Sequence, residues 1–182
     1  MAKIAVFLAE GFEEIEALTV VDLCRRAGIE TKMVSVSDAL FVAGSHGIAV
    51  QADETLAGLD FTAIDMLVLP GGMPGTKNLE KCEGLMKELD AFYEAGKCIS
   101  AICAAPSIFG HRGYLKEREA CCYPGFEEQL AGAHVTKDRV TVSEHVTTSR
   151  GMGTAIPFGL AIVERFCGAK KAQELAEGII YR

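Results

Sequence analysis

The chain has 182 residues, 49% of them hydrophobic, which suits one domain covering residues 1–182; a domain of this size buries roughly 70% of the surface its unfolded chain exposes. Eighteen basic against 25 acidic residues give a net charge of −7, with no long run of like charges, which argues against nucleic acid or an anionic membrane as the main partner. The seven cysteines are scattered, with no C-x-x-C and no histidine at zinc-finger spacing, so neither a disulfide framework nor a metal site is signalled and the thiols read as reduced.

From the N-terminus, a short apolar run stops at Glu10, too short for a membrane span and without a signal peptide's cleavage region, so a soluble, cytoplasmic protein is expected. Ile4 to Ala9 reads as a strand and Ile15 to Ala27 as a helix that Gly28 closes after a basic last turn. Thr31 to Val36 is a second strand, and Phe41 to Ala52, punctuated by Gly44 and Gly47, reads as an inserted hairpin. Met66 to Leu69 is a strand, Leu85 to Glu94 a helix, and Cys98 to Ile102 a strand followed by a helix from about Ala104. Cys121 and Cys122 fall in an expected strand, with one side chain facing each way. Arg139 to Val142 and Val146 to Ser149 are late strands, leading to a helix from about Ala155 to Phe166 with Pro157 in its first turn. Alternating strands and helices predict an α/β three-layer sandwich with a mainly parallel central sheet.

In such sheets, sites form beyond the carboxyl ends of the strands. There the chain places Glu10-Gly-Phe-Glu-Glu-Ile-Glu16, Pro70-Gly-Gly-Met-Pro-Gly75, Cys103, and Ser149-Arg-Gly-Met-Gly153. Cys103 stands where a strand meets a helix, with small Ala101 and Ala105 two residues to either side, as a sharp nucleophile elbow requires. A helix N-terminus favours thiolate over thiol there, although free cysteine is also among the most buried residue types. Gly71 and Gly72 can turn amides inward and, with the Ala104 amide, form an oxyanion site; the same pair also suits a plain tight turn. No phosphate loop is present and Gly151-x-Gly153 is too short for a dinucleotide fingerprint, so no cofactor is expected. Glu13, Glu14 and Glu16 suit a helix start on dipole grounds alone, whereas a protonated carboxyl beside Cys103 would serve proton transfer. His46, His111, His134 and His145 all read as surface histidines, with His111 two turns beyond Cys103 and pointing away.

The segments Ala-Glu-Gly-Phe-Glu-Glu-Ile-Glu-Ala, Val-Leu-Pro-Gly-Gly at 68–72, Ala-Ile-Cys-Ala-Ala-Pro at 101–106 and Thr-Ser-Arg-Gly-Met-Gly-Thr at 148–154 together resemble the ThiJ/PfpI superfamily, nearest its deglycase and YajL-like branch. The resemblance implies a flavodoxin-like fold, a homodimer, and a reactive elbow cysteine at Cys103 bonded by a glutamic acid at Glu16. Gly72 and Ala104 match the family's backbone donors, and Arg26 and Arg150 match arginines near the site or the dimer interface. Three departures stand out: Ala104 where some members place a histidine beside the cysteine, Tyr123 where this branch has another histidine, and His46 in place of an interface-loop arginine.

The resemblance carries two classes of function. In the first, Cys103 attacks the aldehyde of a dicarbonyl such as methylglyoxal, or an early glycation adduct on a protein, and Glu16 shuttles protons, with Tyr123, Arg150 and Arg26 as candidate substrate contacts. In the second, the protein is a redox-sensing stress protein or chaperone whose Cys103 is oxidised to a sulfinate. An intracellular cysteine peptidase is disfavoured by the missing histidine at 104.

Overall fold

In the computed structural model, which describes residues 1–181, the chain runs β1 (Lys3–Leu8), α1 (Glu14–Ala27), β2 (Glu30–Ser35), β3 (Phe41–Ala43), β4 (Ala49–Gln51), β5 (Glu54–Thr55), β6 (Met66–Leu69), α2 (Gly75–Glu80), α3 (Glu83–Glu94) and β7 (Cys98–Ile102). It continues through α4 (Pro106–His111), β8 (Glu119–Ala120), β9 (His134–Val135), β10 (Val140–Ser143), β11 (Val146–Ser149), α5 (Ala155–Cys167) and α6 (Ala169–Gly178). Seven strands form the central sheet in the order β10-β11-β7-β6-β1-β2-β5, parallel throughout except for the β10–β11 pair. This is the mainly parallel α/β sandwich that the alternation of elements predicts, in the flavodoxin-like form that the resemblance implies.

The sheet is buried on both faces, and β1 shows how the sequence produces that. Ile4, Val6 and Leu8 point into one core with Val20, Cys24, Phe158 and Ile162 of α1 and α5. Ala5 and Phe7 point into the other, with Leu79, Leu85, Leu89, Phe92 and Phe109 of α2, α3 and α4. Side chains alternate across a strand, so an unbroken apolar run feeds both cores at once. Each large aliphatic or aromatic side chain buried this way contributes on the order of 1.5–3 kcal/mol.

The pairings Val6 with Val68, Leu69 with Ala101 and Ile102 with Ser149 bring the carboxyl ends of β1, β6, β7 and β11 level. The chain leaves β1 for β2 on one side and later returns to β6 on the other, so the crevice opens at a topological switch point. α1 ends as expected, with Gly28 at φ 87° and its amide donating to the Arg25 carbonyl. The hairpin is also present, with β3 and β4 antiparallel, and its tip is tied to the β1–α1 loop by Gly11 N–H to Ala43 O at 2.8 Å and Ser45 N–H to Phe12 O at 2.8 Å.

Several local expectations are corrected. The helix after Cys103 starts at Pro106 and lasts six residues, because residues 103–105 are spent on the turn. Cys121 and Cys122 lie beyond β8, and both are buried. His145 is half-buried against the Tyr93 ring, 5.2 Å between centroids, whereas His111 and His134 are exposed. α2 and α6 were not expected; α2 is only six residues long, and the apolar face of α6 is made of alanines and Leu175 among charged residues.

Gly110 sets the seat of α4: a Cβ there would stand 2.0 Å from the Gln129 carbonyl oxygen and 2.8 Å from Leu130 Cα. Both are backbone atoms, so the loop must move. Gly110→Ala is expected to destabilise the fold by about 1–3 kcal/mol in denaturant melts, while Gly178→Ala, whose Cβ would enter open space, leaves stability equal to wild type or higher. Equal midpoints for the two variants would contradict this packing.

Candidate active site

Cys103 has φ 66°, the left-handed region that a side chain with a Cβ avoids. Holding it costs about 1–3 kcal/mol, and two hydrogen bonds impose it: Cys103 N–H donates to Ser149 O at 3.0 Å, and Tyr123 N–H donates to Cys103 O at 2.8 Å. β11 and the segment after β8 therefore clamp the turn from two directions. The sulfur ends half-buried at the carboxyl end of β7.

Glu16 reaches the same point from the first turn of α1 and is 1% exposed. Its Oε2 accepts from the Gly71 amide at 2.9 Å. Its Oε1 is buried with no partner at ordinary hydrogen-bond geometry, and the neighbouring Cys103 sulfur pulls on its titration. Gly71 is required by contact, since a Cβ would lie 2.6 Å from Cys103 Cβ and 2.8 Å from Glu16 Oε2. Its amide is thus taken by the carboxyl, which corrects its assignment as an oxyanion donor. The amides of Gly72 and Ala104 instead approach the Cys103 sulfur and favour its thiolate.

Burial pushes Glu16 up to about 7, against the opposing Gly71 hydrogen bond and the close approach of the Cys103 thiol. Burial first, then the charge and close approach of the Glu16 carboxyl, pushes the Cys103 thiol up to about 12. The expected lowering by a helix N-terminus does not dominate, because α4 is short and starts three residues later. The pair therefore gives up its first proton around neutrality and carries one negative charge above it. Moving the remaining proton onto Glu16 removes the carboxylate charge that opposes the thiolate and leaves the Gly72 and Ala104 amides to hold it.

A cleft of about 580 Å³ opens over the pair, lined by Glu13, Glu16, His46, Cys103, Tyr123, Pro124, Arg150, Gly151, Met152, Gly153 and Thr154. Tyr123 is 49% exposed and lies beside Gly151, where a Cβ would stand 3.2 Å from its ring. Arg150 is fixed through its backbone amide, which donates to Thr154 Oγ1 at 3.2 Å. Arg26 is not brought here; it pairs with Asp22 one turn back in α1 and lines a separate groove with Ile156 and Ile180.

His46 is exposed, as the sequence predicts, but the sequence does not show that it borders this cleft. The hairpin tip carries it into the cleft, where Nδ1 lies 3.0 Å from Glu14 Oε2 and 3.7 Å from Glu13 Oε1. Gly44 makes room, since a Cβ there would fall 2.3 Å from the Glu14 carboxyl carbon. The signal available was the polar Ser45-His46 tip between two glycines, but its landing place depends on tertiary contacts. Glu13, Glu14 and His46 also present ligand atoms within 4.8 Å of one another. The Glu14 oxygens already accept from Ser45 Oγ, the His46 ring and amide, and the Ile48 amide.

Residues 2–165 match the DJ-1/PfpI family. Protein DJ-1 homolog B of Arabidopsis thaliana is 36% identical over 99% of this chain, which spans only 42% of that relative's length; the chain likewise spans less than half of homolog A. Protein dj-1beta of Drosophila melanogaster is 34% identical over 99% of this chain and 98% of its own. Glutathione-independent glyoxalase DJR-1.2 of Caenorhabditis elegans is 32% identical over 91% of this chain and 89% of its own. The solved structure of oxidised Toxoplasma gondii DJ-1 superposes with a TM-score of 0.95 at 34% identity, covering 100% of this chain and 99% of that one. By the extent of these matches, and by the site they accompany, the chain belongs to the DJ-1/PfpI family.

Proposed function

We propose that the protein is a cysteine-dependent enzyme acting on reactive dicarbonyls without glutathione, with Cys103 as nucleophile and Glu16 as proton shuttle. The observation that carries this reading is the unpartnered Oε1 of buried Glu16 beside the sulfur of a strained elbow. The sulfur adds to the aldehyde carbon, forming a C–S bond, and the carbonyl oxygen takes the proton that the Cys103–Glu16 pair holds. The resulting hemithioacetal isomerises to a thioester, which water cleaves to a 2-hydroxy acid and free thiol. Such proton transfer is worth about 10²–10⁴-fold when the group's pKa lies near the working pH, and Glu16 at about 7 meets that condition. The C. elegans relative named as a glutathione-independent glyoxalase supports the reaction class. Early glycation adducts on protein amines or thiols present the same electrophilic carbon, and an open cleft of about 580 Å³ leaves room for them.

A second reading is favoured by the oxidised Toxoplasma relative. Here peroxide oxidises Cys103 to a sulfinate, whose oxygen accepts the Glu16 proton.

Purified protein with methylglyoxal should form lactate without added glutathione, and Cys103→Ala or Glu16→Gln should reduce the rate by at least about 10²-fold. Full activity in Cys103→Ala would contradict the enzymatic reading. For the redox reading, intact mass and peptide mapping after mild peroxide should find two added oxygens confined to Cys103; oxidation spread over the other cysteines would sink it.

A further inference from the structure

We propose that His46 is a second proton-transfer residue of this site and that Glu14 positions it. The inference rests on the dicarbonyl reading and extends it to a residue that departs from the family's pattern. Glu14 Oε2 binds Nδ1 at 3.0 Å, and Glu14 Oε1 accepts from the His46 backbone amide at 2.8 Å, so one buried carboxylate fixes both the ring and its loop. With Nδ1 held, Nε2 is the nitrogen left to serve the cleft that His46 lines together with Cys103. A carboxylate that orients one imidazole nitrogen and leaves the other to act is the arrangement by which histidine is made a directed acid or base.

The charges around the ring favour its protonated form. Burial works to raise Glu14, but hydrogen bonds from the His46 ring, its amide and the Ile48 amide hold the carboxyl at about 2. The bond to Glu14, then the charges of Glu13 and Glu14, raise His46 above its ordinary value. The cleft that it lines also holds Arg150, Glu16 and Cys103.

The reaction needs two such groups. Once Cys103 holds C1 of the dicarbonyl as a hemithioacetal, a proton must leave C1 and one must arrive at C2. Glu16 carboxylate takes the C1 proton while His46 imidazolium protonates the C2 oxygen, giving an enediol. Glu16 then returns its proton to C2, and His46 takes the C1 hydroxyl proton as the C1=O of the thioester forms. Both groups end as they began, and no external oxidant or reductant is used. Glu16 is buried beside the sulfur, whereas His46, two-thirds exposed, lines the same cleft on its solvent side, which leaves the far carbonyl oxygen to His46 in this scheme.

The test is His46→Asn, whose amide stands in for Nδ1 and keeps the bond to Glu14 while removing Nε2. Methylglyoxal turnover should show kcat reduced by about 10²-fold with KM within a few-fold, partial recovery on adding imidazole, and an unchanged rate of Cys103 alkylation by iodoacetamide. Glu14→Gln removes the charge that raises His46, so the alkaline limb of its kcat profile should move to lower pH. Turnover of His46→Asn within twofold of wild type, or a loss that imidazole fails to restore and that alkylation of Cys103 shares, overturns the proposal. Wild-type protein that forms no lactate removes the dicarbonyl reading and this inference together, whereas an active wild type with an equally active His46→Asn removes the inference alone.

Discussion

Everything distinctive about this molecule converges on the buried carboxyl of Glu16, wedged between the Gly71 amide and the sulfur of Cys103. A carboxylate out of water is unfavourable, and its pKa moves up from 4.5 to about 7 as a result. A cysteine in the left-handed region is unfavourable as well. The two costs fall on neighbouring residues. They are tolerated because the sheet beneath is buried on both faces and because β11, the segment after β8 and the Gly71-Gly72 loop each hold the turn through backbone hydrogen bonds or contact.

Proximity of this kind makes glycine obligatory at two positions. Gly71 admits Cys103 and Glu16 together, and Gly44 admits the Glu14 carboxyl under the hairpin tip. The first acid lies against the sulfur and the second against a histidine. Two glutamates two residues apart on α1 thus take opposite electrostatic characters: Glu16 is raised by burial with few donors, and Glu14 is lowered by many. Environment alone separates their roles.

The fold was largely legible in the sequence because both-faced burial leaves an unbroken apolar signature at each parallel strand, and because Gly28 marks the end of α1 by its φ. The elbow was legible for a related reason: small residues at 101 and 105 are a steric requirement written into composition. What remained hidden was set by long-range contact. The hydrogen bonds that hold the hairpin against the loop after β1 link residues more than 30 positions apart, so the surface reading of His46, which is indeed exposed, gave no sign that its ring meets Glu14 and borders the cleft. Arg26, which the motif match set near the site or the dimer interface, lies away from the cleft of its own chain because α1 turns it toward Asp22. The direction of the thiol's shift was also misjudged from sequence, because the expected helix N-terminus begins three residues late while burial and the Glu16 charge act at contact.

The claim that the Cys103–Glu16 pair shares one proton near neutrality is tested most directly by the pH dependence of Cys103 alkylation by iodoacetamide. Below about 7 both groups hold their protons and the thiolate is scarce; above it the pair has lost one and the thiolate form becomes accessible. The rate in wild-type protein should therefore rise with pH and bend near 7, and the bend should be absent from Glu16→Gln. The same bend in Glu16→Gln would assign the titration to another group and contradict the account.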